Sequence, residues 1–370
     1  MTDHFSLAPE VPPETAGTTQ AWKHALAEPH VLSSLWALPL SSVGAGLVEK
    51  ALEVGLFAQT EQAVSAATLA QRLALSPGRL AYALEVLWSL GMLLRRQQAD
   101  GEWLYGTAPE LSPYLNPVSE SYCGDALLFR FRVLRQAADQ VMGLLSDEVP
   151  VVPPRGVAGQ PALWAEAARV QIAQEQAAVS AEVALSVMSA QSEFGQAQTV
   201  LDLGGGPGLV AIELARHQPL LSGVVFDFPE VVSVARENIA TAGLEDRLSV
   251  LGGDLSSDEL GKGYDVIWCS SVFHFVPDLP GLLARLHEAL SPGGLLVCAH
   301  AVIGAEGWQN RAVAPYYLNL RLQGGRVLAA GQLEELLLAA GFSGVDSVSQ
   351  VRFPVAPVNV VIARKEGGRS

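Results

Sequence analysis

Residues 199–217 read TVLDLGGGPGLVAIELARH and carry the most informative pattern of the sequence. An apolar run at residues 200–203 comes first, four glycines follow within residues 204–208, and apolar residues then recur at helical spacing. A strand, a glycine loop and a helix in this order are typical of an α/β sheet that binds a ligand at the strand's carboxyl end. Glycines let the backbone approach a ligand closely, and the helix presents unpaired N–H groups to an anion. The loop alone is compatible with a dinucleotide, a nucleoside or a plain tight turn.

Acidic residues and histidines follow the glycine loop at regular intervals. Asp227 ends the next predicted strand, 25 residues after Asp202, where a carboxylate can accept hydrogen bonds from both hydroxyls of a ribose. Asp254 follows the third predicted strand, and the fourth and fifth are predicted to end at His274 and His300. Because ligands of parallel α/β sheets bind beyond the carboxyl ends of the strands, we expect these side chains to meet at one edge.

Two other nucleotide-binding motifs fit the loop poorly. No Gly-Lys-Ser or Gly-Lys-Thr follows the glycines, which excludes a P-loop. The nicotinamide fingerprint is matched by residues 206–211 only in its weaker form, one residue late. A nicotinamide cofactor is therefore the less favoured interpretation.

The composition bears on partners and compartment. Lys and Arg number 23 against 38 Asp and Glu, a formal net charge of −15, which would repel a nucleic-acid backbone. The cysteines Cys123, Cys269 and Cys298 are widely spaced and form no CxxC pair. We therefore predict free thiols, no metal site and a cytoplasmic protein.

The length of 370 residues predicts about two domains. The expected divisions are a disordered tail at 1–20, a winged-helix-like domain at 21–120, a helical connector at 121–194 and an α/β domain at 195–370. The winged helix is predicted from short helices followed by a hairpin that turns at Asp100–Gly101, with Ser76 and Pro77 beginning one helix. The Pro-rich residues 148–161 are expected to separate two connector helices.

Two apolar segments of the N-terminal half suggest a subunit interface. The presumed recognition helix at residues 78–90 has one Arg and one Glu, so an interface is favoured over operator DNA. Residues 31–48 lack charge over 18 positions but contain Pro39, four serines and two glycines. We predict a bent, buried or dimer-facing helix there and not a membrane span.

Six motifs stand in an order that resembles a known family: LDLGGGPG, FDFPEVV, GLEDRLSVLGGDL, GYDVIWCSSVFH, LSPGG and LAAGF. The chain resembles, over about residues 47–365, the S-adenosylmethionine-dependent small-molecule O-methyltransferases of the caffeate and hydroxyindole type. The resemblance implies an α/β fold: a Rossmann-like domain with a seven-stranded, mostly parallel sheet, and an N-terminal all-helical winged-helix dimerisation domain. It implies S-adenosyl-L-methionine as cofactor, a homodimer, and methyl transfer to a hydroxyl of a small, mostly apolar or aromatic acceptor.

The resemblance also implies roles for particular residues. The residues implied to bind the cofactor are Asp202, Gly204, Gly206, Gly208, Asp227, Asp254 and Leu255. His274 matches the family's general base, because neutral imidazole can take the proton of an attacking hydroxyl. The segments able to line an acceptor pocket contain Trp268, Trp308, Tyr316, Tyr317 and Asn319.

The sequence departs from the family around His274. Phe275 and Val276 stand where the family has Asp-Trp, and the two acids that would orient the imidazole are replaced by His300 and Val327. His300 could share a proton with His274, contact the acceptor, help to bind a metal, or only end its strand. An O-methyltransferase with altered base support, a carbon methyltransferase, and a member that has lost transfer therefore stay open. A cofactor-sensing DNA-binding regulator is the alternative from a different class.

Overall fold

The computed structural model describes residues 28–146 and 161–367. The predicted tail at residues 1–20 and most of the Pro-rich segment 148–161 lie outside the described residues. The N-terminal elements are α1 (Ser33–Glu53), α2 (Leu56–Gln59), β1 (Val64–Ser65), α3 (Ala66–Leu73), α4 (Pro77–Ser89), β2 (Leu93–Gln97), β3 (Trp103–Thr107) and α5 (Ser112–Leu115).

The N-terminal region combines these helices with a small three-stranded sheet in the order β1-β3-β2. The predicted hairpin is confirmed, since β2 pairs antiparallel with β3 and Gly101 in the turn has a φ of 89°. Helix α4 begins at Pro77 after Ser76, as predicted, although the serine side chain makes no capping bond. The core contains the fully buried side chains of Leu69, Leu84 and other apolar residues.

Helix α1 carries the uncharged segment of the sequence and contains Pro39. Several of its apolar side chains are exposed, including Leu38 at 69%, Leu40 at 69% and Val43 at 65%. Burial of this helix within one protomer is therefore wrong as a prediction, and the dimer-facing alternative stays a prediction. Among the described residues, no helix combines the length and the apolar character that a bilayer crossing requires.

A helical region lies between the two halves, and the domain bounds given above stay predictions. It comprises α6 (Gly124–Leu145), α7 (Pro161–Ala167), a π-helical turn (Ala168–Ile172), α8 (Ala173–Glu175), a second π-helical turn (Gln176–Ser180) and α9 (Ala181–Ser189). Arg130 of α6 holds Glu175 of α8 through two hydrogen bonds of 2.7 and 2.8 Å. This half-buried bidentate pair fixes α6 against the run that enters the sheet domain.

The C-terminal half is built around a seven-stranded sheet. Its strands are β4 (Thr199–Leu203), β5 (Ser222–Asp227), β6 (Leu248–Gly252), β7 (Tyr264–Ser270), β8 (Leu290–His300), β11 (Ser343–Val351) and β12 (Val358–Arg364), and β9 (Val302–Ile303) pairs separately with β10 (Leu328–Ala329). Its helices are α10 (Leu209–His217), α11 (Val232–Thr241), α12 (Leu279–Ala289), α13 (Val313–Tyr316), α14 (Leu318–Leu322) and α15 (Gln332–Ala339).

The strand order is β11-β12-β8-β7-β4-β5-β6. The pairs β4/β5, β5/β6, β4/β7 and β7/β8 are parallel, and only β12 runs antiparallel to both neighbours, so the predicted mostly parallel sheet is confirmed. Successive side chains face opposite sides, and Val200 and Leu201 accordingly belong to different buried clusters. The order reverses between β4 and β7, which opens a crevice at their carboxyl ends.

Candidate active site

The glycine loop after β4 needs glycine for its backbone conformation. Gly204, Gly206 and Gly208 have φ values of 66°, 58° and 76°, a region that side chains with a Cβ rarely adopt. A Cβ on Gly204 would also clash with a methyl group of Val272. The loop therefore passes close to the segment that carries His274.

The N-terminus of α10 is less open to an anion than the sequence suggests. Leu209 N–H donates to the side-chain oxygen of Gln176 at 3.1 Å, and Ala211 N–H donates to Asp202 at 3.3 Å. The Gln176 amide also donates to the Gly205 carbonyl at 3.1 Å. The expectation that these helix N–H groups bind the ligand is wrong for these two, because internal side chains satisfy them.

Asp227 ends β5 as predicted and lies against the glycine loop. One carboxylate oxygen accepts from Gly206 N–H at 2.9 Å, and the other accepts from Phe228 N–H at 2.7 Å. Burial raises the pKa of Asp227 to about 6. Each carboxylate oxygen has a further lone pair, so the group can still accept bonds from ribose hydroxyls. The loop and this partly buried carboxylate fit a nucleoside.

The other implied cofactor residues lie around this carboxylate. Asp202 is buried within β4, and burial raises its pKa to about 7. Asp254 lies on the loop after β6, exposed, and accepts a hydrogen bond from Ser256 N–H at 2.8 Å. Leu255 packs, half-buried, against the main core cluster. The structure brings Asp202 and Asp227 to the glycine loop, whereas the Asp254 carboxylate serves its own turn.

His274 lies in a short 3-10 turn (Phe273–Phe275) and not at the end of a strand. Strand β7 ends at Ser270 because the next residue, Ser271, has a φ of 55° and cannot continue an extended strand. The predicted strand end at His274 is therefore wrong by four residues. The histidine nevertheless lies next to the crevice, because its turn follows β7, the strand that pairs with β4.

The His274 ring is oriented by a backbone carbonyl. Its Nδ1 is 2.8 Å from the Arg326 oxygen, and since a carbonyl can only accept, Nδ1 carries the proton. Arg326 N–H returns a bond to the His274 carbonyl at 3.4 Å. The Nε2 atom is buried without a hydrogen-bond partner. Burial lowers the pKa of His274 to about 4, so the imidazole is neutral with Nε2 free to accept a proton.

His300 ends β8 as predicted and is held by the loop before His274. Its Nε2 accepts from the N–H groups of Val272 and Phe273 at 3.2 Å each, and its ring stacks on Phe273 at 4.0 Å. The proton therefore lies on Nδ1, which is buried and unpartnered. The His274 and His300 ring centres are 5.8 Å apart. Within the described residues, no group of three or more His, Cys, Asp or Glu side chains is placed to hold a metal ion.

The acceptor-pocket residues of the sequence analysis separate into two groups. Tyr317 lies with its ring centre 4.6 Å from that of His274, and Tyr316 packs edge-on against Tyr317 at 4.8 Å. Asn319 is half-buried in α14 and accepts from the Gln323 amide at 2.9 Å. Trp308 is 60% exposed, and Trp268, the other tryptophan considered, is buried in the core. The structure brings only the tyrosines next to His274.

Two residues that the sequence analysis missed complete the site. The Arg130 guanidinium lies 5.2 Å from the centre of the Tyr316 ring while it pairs with Glu175. Gln176 closes over the glycine loop from the second π-helical turn. Gln176 is one of three glutamines in residues 171–176, and no hydrophobic periodicity distinguishes it from the others. Arg130 is likewise one of three arginines on α6.

This fold and site define a class: a Rossmann-like α/β domain with a nucleoside-type crevice beside a neutral, buried histidine. The family described as the O-methyltransferase domain matches residues 164–343. Demethylspheroidene O-methyltransferase of Cereibacter sphaeroides is 30% identical over 302 residues, covering 78% of this chain and 74% of that protein. The chain therefore belongs to the S-adenosylmethionine-dependent O-methyltransferases.

Other relatives extend the comparison. L-tyrosine C(3)-methyltransferase of Streptomyces lavendulae is 31% identical over 173 residues, 45% of this chain and 47% of that protein, so the chain matches about half of its length. The structure of human N-acetylserotonin methyltransferase in complex with S-adenosylmethionine superposes with a TM-score of 0.68 at 22% identity. It covers 92% of this chain and 99% of that one, which supports the fold.

Proposed function

We propose that the protein transfers a methyl group from S-adenosylmethionine to a hydroxyl of a small, mostly apolar or aromatic acceptor, with His274 as general base. The observation that carries this proposal is the buried, unprotonated Nε2 of His274. An acceptor hydroxyl can give its proton to this atom as the oxygen attacks. The Arg326 carbonyl fixes the required tautomer, a role that the resemblance assigns to carboxylates which this chain lacks.

The residues proposed to hold the cofactor lie at and after the ends of β4, β5 and β6, whereas His274 follows β7. Asp227 accepts bonds from the ribose, Gly204, Gly206 and Gly208 line the methionine portion, and Leu255 and Asp254 border the adenine. S-adenosylmethionine supplies an electrophilic methyl group on a sulfonium sulfur. The carboxylates of Asp202 and Asp227 offset that positive charge when they are ionised.

Oxygen remains the favoured acceptor atom over carbon. The His274 ring offers a base with a fixed tautomer, which a hydroxyl needs more than an electron-rich carbon does. The ring contacts of Tyr316 and Tyr317 suit a flat apolar acceptor beside the base. The carbon alternative keeps the support of a relative named as an L-tyrosine C(3)-methyltransferase.

The test separates cofactor binding from proton transfer. Calorimetry with S-adenosylhomocysteine should give a single binding event, and its absence would remove the proposed function. His274→Ala should lower kcat by about 10²–10⁴-fold with cofactor affinity nearly unchanged, since the base does not hold the nucleoside. His217→Ala, at the far end of α10, is the matched control. Unchanged turnover in His274→Ala would exclude it as the base.

We also propose that the chain forms a homodimer through its N-terminal helices. Leu38, Leu40 and Val43 of α1 are exposed, and an apolar helix in water requires a cover. A second copy offers the same apolar surface, as an isologous interface requires. Sedimentation at micromolar concentration should give a dimer, and Leu38→Lys combined with Leu40→Lys should give a monomer. A monomeric unmodified protein would contradict the proposal.

A cytoplasmic location is the third proposal. Cys269 and Cys298 are register neighbours on β7 and β8, yet both are free thiols, as is Cys123. Free thiols are typical of proteins in reducing compartments. Cell fractionation tests this location, and recovery outside the cytoplasm would contradict it.

A further inference from the structure

Two buried nitrogen atoms of the site have no hydrogen-bond partner. In the part of the chain that the structure describes, the unpartnered buried side-chain polar atoms are Trp268 Nε1, His274 Nε2 and His300 Nδ1. Two of these three belong to rings whose centres are 5.8 Å apart. A buried polar group without a partner costs about 1–3 kcal/mol, so two such groups side by side call for an explanation.

The two atoms have opposite hydrogen-bonding character. His274 gives its Nδ1 proton to the Arg326 carbonyl, which leaves Nε2 as an acceptor. His300 uses its Nε2 lone pair for the N–H groups of Val272 and Phe273, which leaves Nδ1–H as a donor. Backbone groups therefore fix both tautomers before any ligand binds. The pair matches a ligand that presents one hydroxyl and one oxygen acceptor.

We propose that the two histidines recognise a methyl acceptor with oxygens on neighbouring ring atoms. The hydroxyl to be methylated donates to His274 Nε2, and the adjacent oxygen, a hydroxyl, carbonyl or ether, accepts from His300 Nδ1–H. This inference rests on the proposed function and names the substrate class of the same site.

The geometry favours oxygens that are close together. Each ligand oxygen would lie about 2.8 Å from its imidazole nitrogen, and the two rings are themselves only 5.8 Å apart between centres. Tyr317, whose ring lies 4.6 Å from that of His274, provides an aromatic surface for the ring that carries both oxygens. A para-related pair of oxygens would span the ring and leave one nitrogen unpartnered.

The second contact also helps the reaction. When the hydroxyl proton moves to His274 Nε2, negative charge develops mainly on the reacting oxygen, which lies beside the oxygen that His300 holds. The Nδ1–H dipole of His300 is then fixed close to the developing charge and stabilises it through space. His300 would then touch the acceptor and act as a catalytic residue, although it transfers no proton.

Isomeric diols test the inference directly. The dissociation constants of naphthalene-2,3-diol and naphthalene-2,6-diol are measured by calorimetry on protein saturated with S-adenosylhomocysteine. We expect the 2,3-isomer to bind about tenfold or more tightly, the value of one additional hydrogen bond. Equal affinities on cofactor-loaded protein would overturn this inference and leave the proposed function intact. Failure of S-adenosylhomocysteine to bind would overturn both.

Two variants separate the donor of His300 from its structural bonds. Both His300→Asp and His300→Asn lose the Nε2 acceptor of Val272 and Phe273, and both place a terminal atom where Nδ1 lies. The ionised aspartate has no donor there, so the preference for the 2,3-isomer should disappear. The asparagine amide has one, so the preference should persist. A preference retained in the aspartate variant would contradict the role of the donor.

Nitrogen NMR of the unmodified protein makes the test independent of variants that fold poorly. With ¹⁵N-labelled histidine, the seven imidazoles of the chain give few signals. His300 should show a protonated Nδ1 and a bare Nε2, and its Nδ1 signal should shift with the 2,3-diol. A protonated Nε2 on His300, or no shift on saturation with the 2,3-diol, would overturn the inference.

Discussion

Cofactor affinity should rise with pH because of the Asp227 carboxylate. Burial raises the pKa of Asp227 to about 6, so most of the free protein carries the neutral side chain at pH 5. Ribose hydroxyls that donate to the carboxylate favour its ionised form and lower this pKa in the complex. Protons therefore compete with the cofactor below about pH 6.

The magnitude follows from the two pKa values. With a free-state pKa of about 6 and a bound-state pKa near the ordinary 3.8, affinity at pH 5 is about tenfold below that at pH 7. A carboxyl whose pKa falls on binding contributes affinity that is complete above the free pKa and is lost as the pH falls through it. Affinity should therefore level off above about pH 7.

Calorimetric titrations with S-adenosylhomocysteine between pH 5 and pH 8 measure this profile. Asp227→Asn cannot titrate, so its affinity should be flat with pH and lower by roughly 10–100-fold. Asp202→Asn is the matched control. Burial raises the pKa of Asp202 to about 7, so its titration must be distinguished from that of Asp227. A flat profile for the unmodified protein, or a step that survives in Asp227→Asn and is lost in Asp202→Asn, would refute the ribose role of Asp227.

Three further predictions concern the glycine loop and its supports. Gly204→Ala should lower the free energy of unfolding by about 1–2 kcal/mol or more, because Gly204 has a positive φ and Val272 lies close to it. Thermal unfolding measures this loss, and the exposed Gly78→Ala, the control, should show none. Because burial raises the pKa of Asp202 to about 7, the unmodified protein loses stability as the pH rises and this carboxyl ionises. Asp202→Asn should therefore stabilise the cofactor-free protein by at most about 4 kcal/mol at pH 8, and by progressively less from pH 7 toward pH 4. Denaturant unfolding at each pH measures the difference. Gln176→Leu should lower the free energy of unfolding by about 2–4 kcal/mol, because it leaves the Leu209 N–H and the Gly205 carbonyl without a partner. Gln176→Glu should lose less, because its oxygen still accepts from Leu209 N–H. An unchanged unfolding midpoint in the leucine variant would contradict this prediction.

The sheet and the positions of Asp227 and His300 could be predicted from the sequence, because buried parallel strands form short apolar runs. Apolar runs bounded by glycine or charge identify β4, β5 and β8, and Asp227 and His300 lie at strand ends as expected. His274 was misplaced because Ser271 takes a positive φ, and serine gives no sequence signal for that conformation. The error moved a strand end by four residues but left the histidine at the correct crevice.

The supports of the site could not be predicted because many of them are backbone groups. The Arg326 carbonyl orients His274, and any residue at that position would supply the same atom. The N–H groups of Val272 and Phe273 set the tautomer of His300 for the same reason. The absence of the family's carboxylates from the sequence therefore suggests that His274 is unsupported, whereas in the fold backbone groups orient both histidines.

The substitute also changes the electrostatics of the acceptor side. His274 and His300 are both neutral, because burial lowers the pKa of each, and the ionisable carboxylates of the crevice lie on the cofactor side. Methyl transfer from a sulfonium to an oxygen that is losing its proton brings opposite charges together, and water or a fixed charge nearby weakens that attraction. At a pH above the pKa that burial gives a carboxyl at this position, His300→Asp places an anion beside the developing oxyanion, whereas His300→Asn does not. We therefore expect kcat with naphthalene-2,3-diol to fall at least tenfold further in the aspartate variant; equal kcat values would mean that the neutrality of this side has no role in the rate.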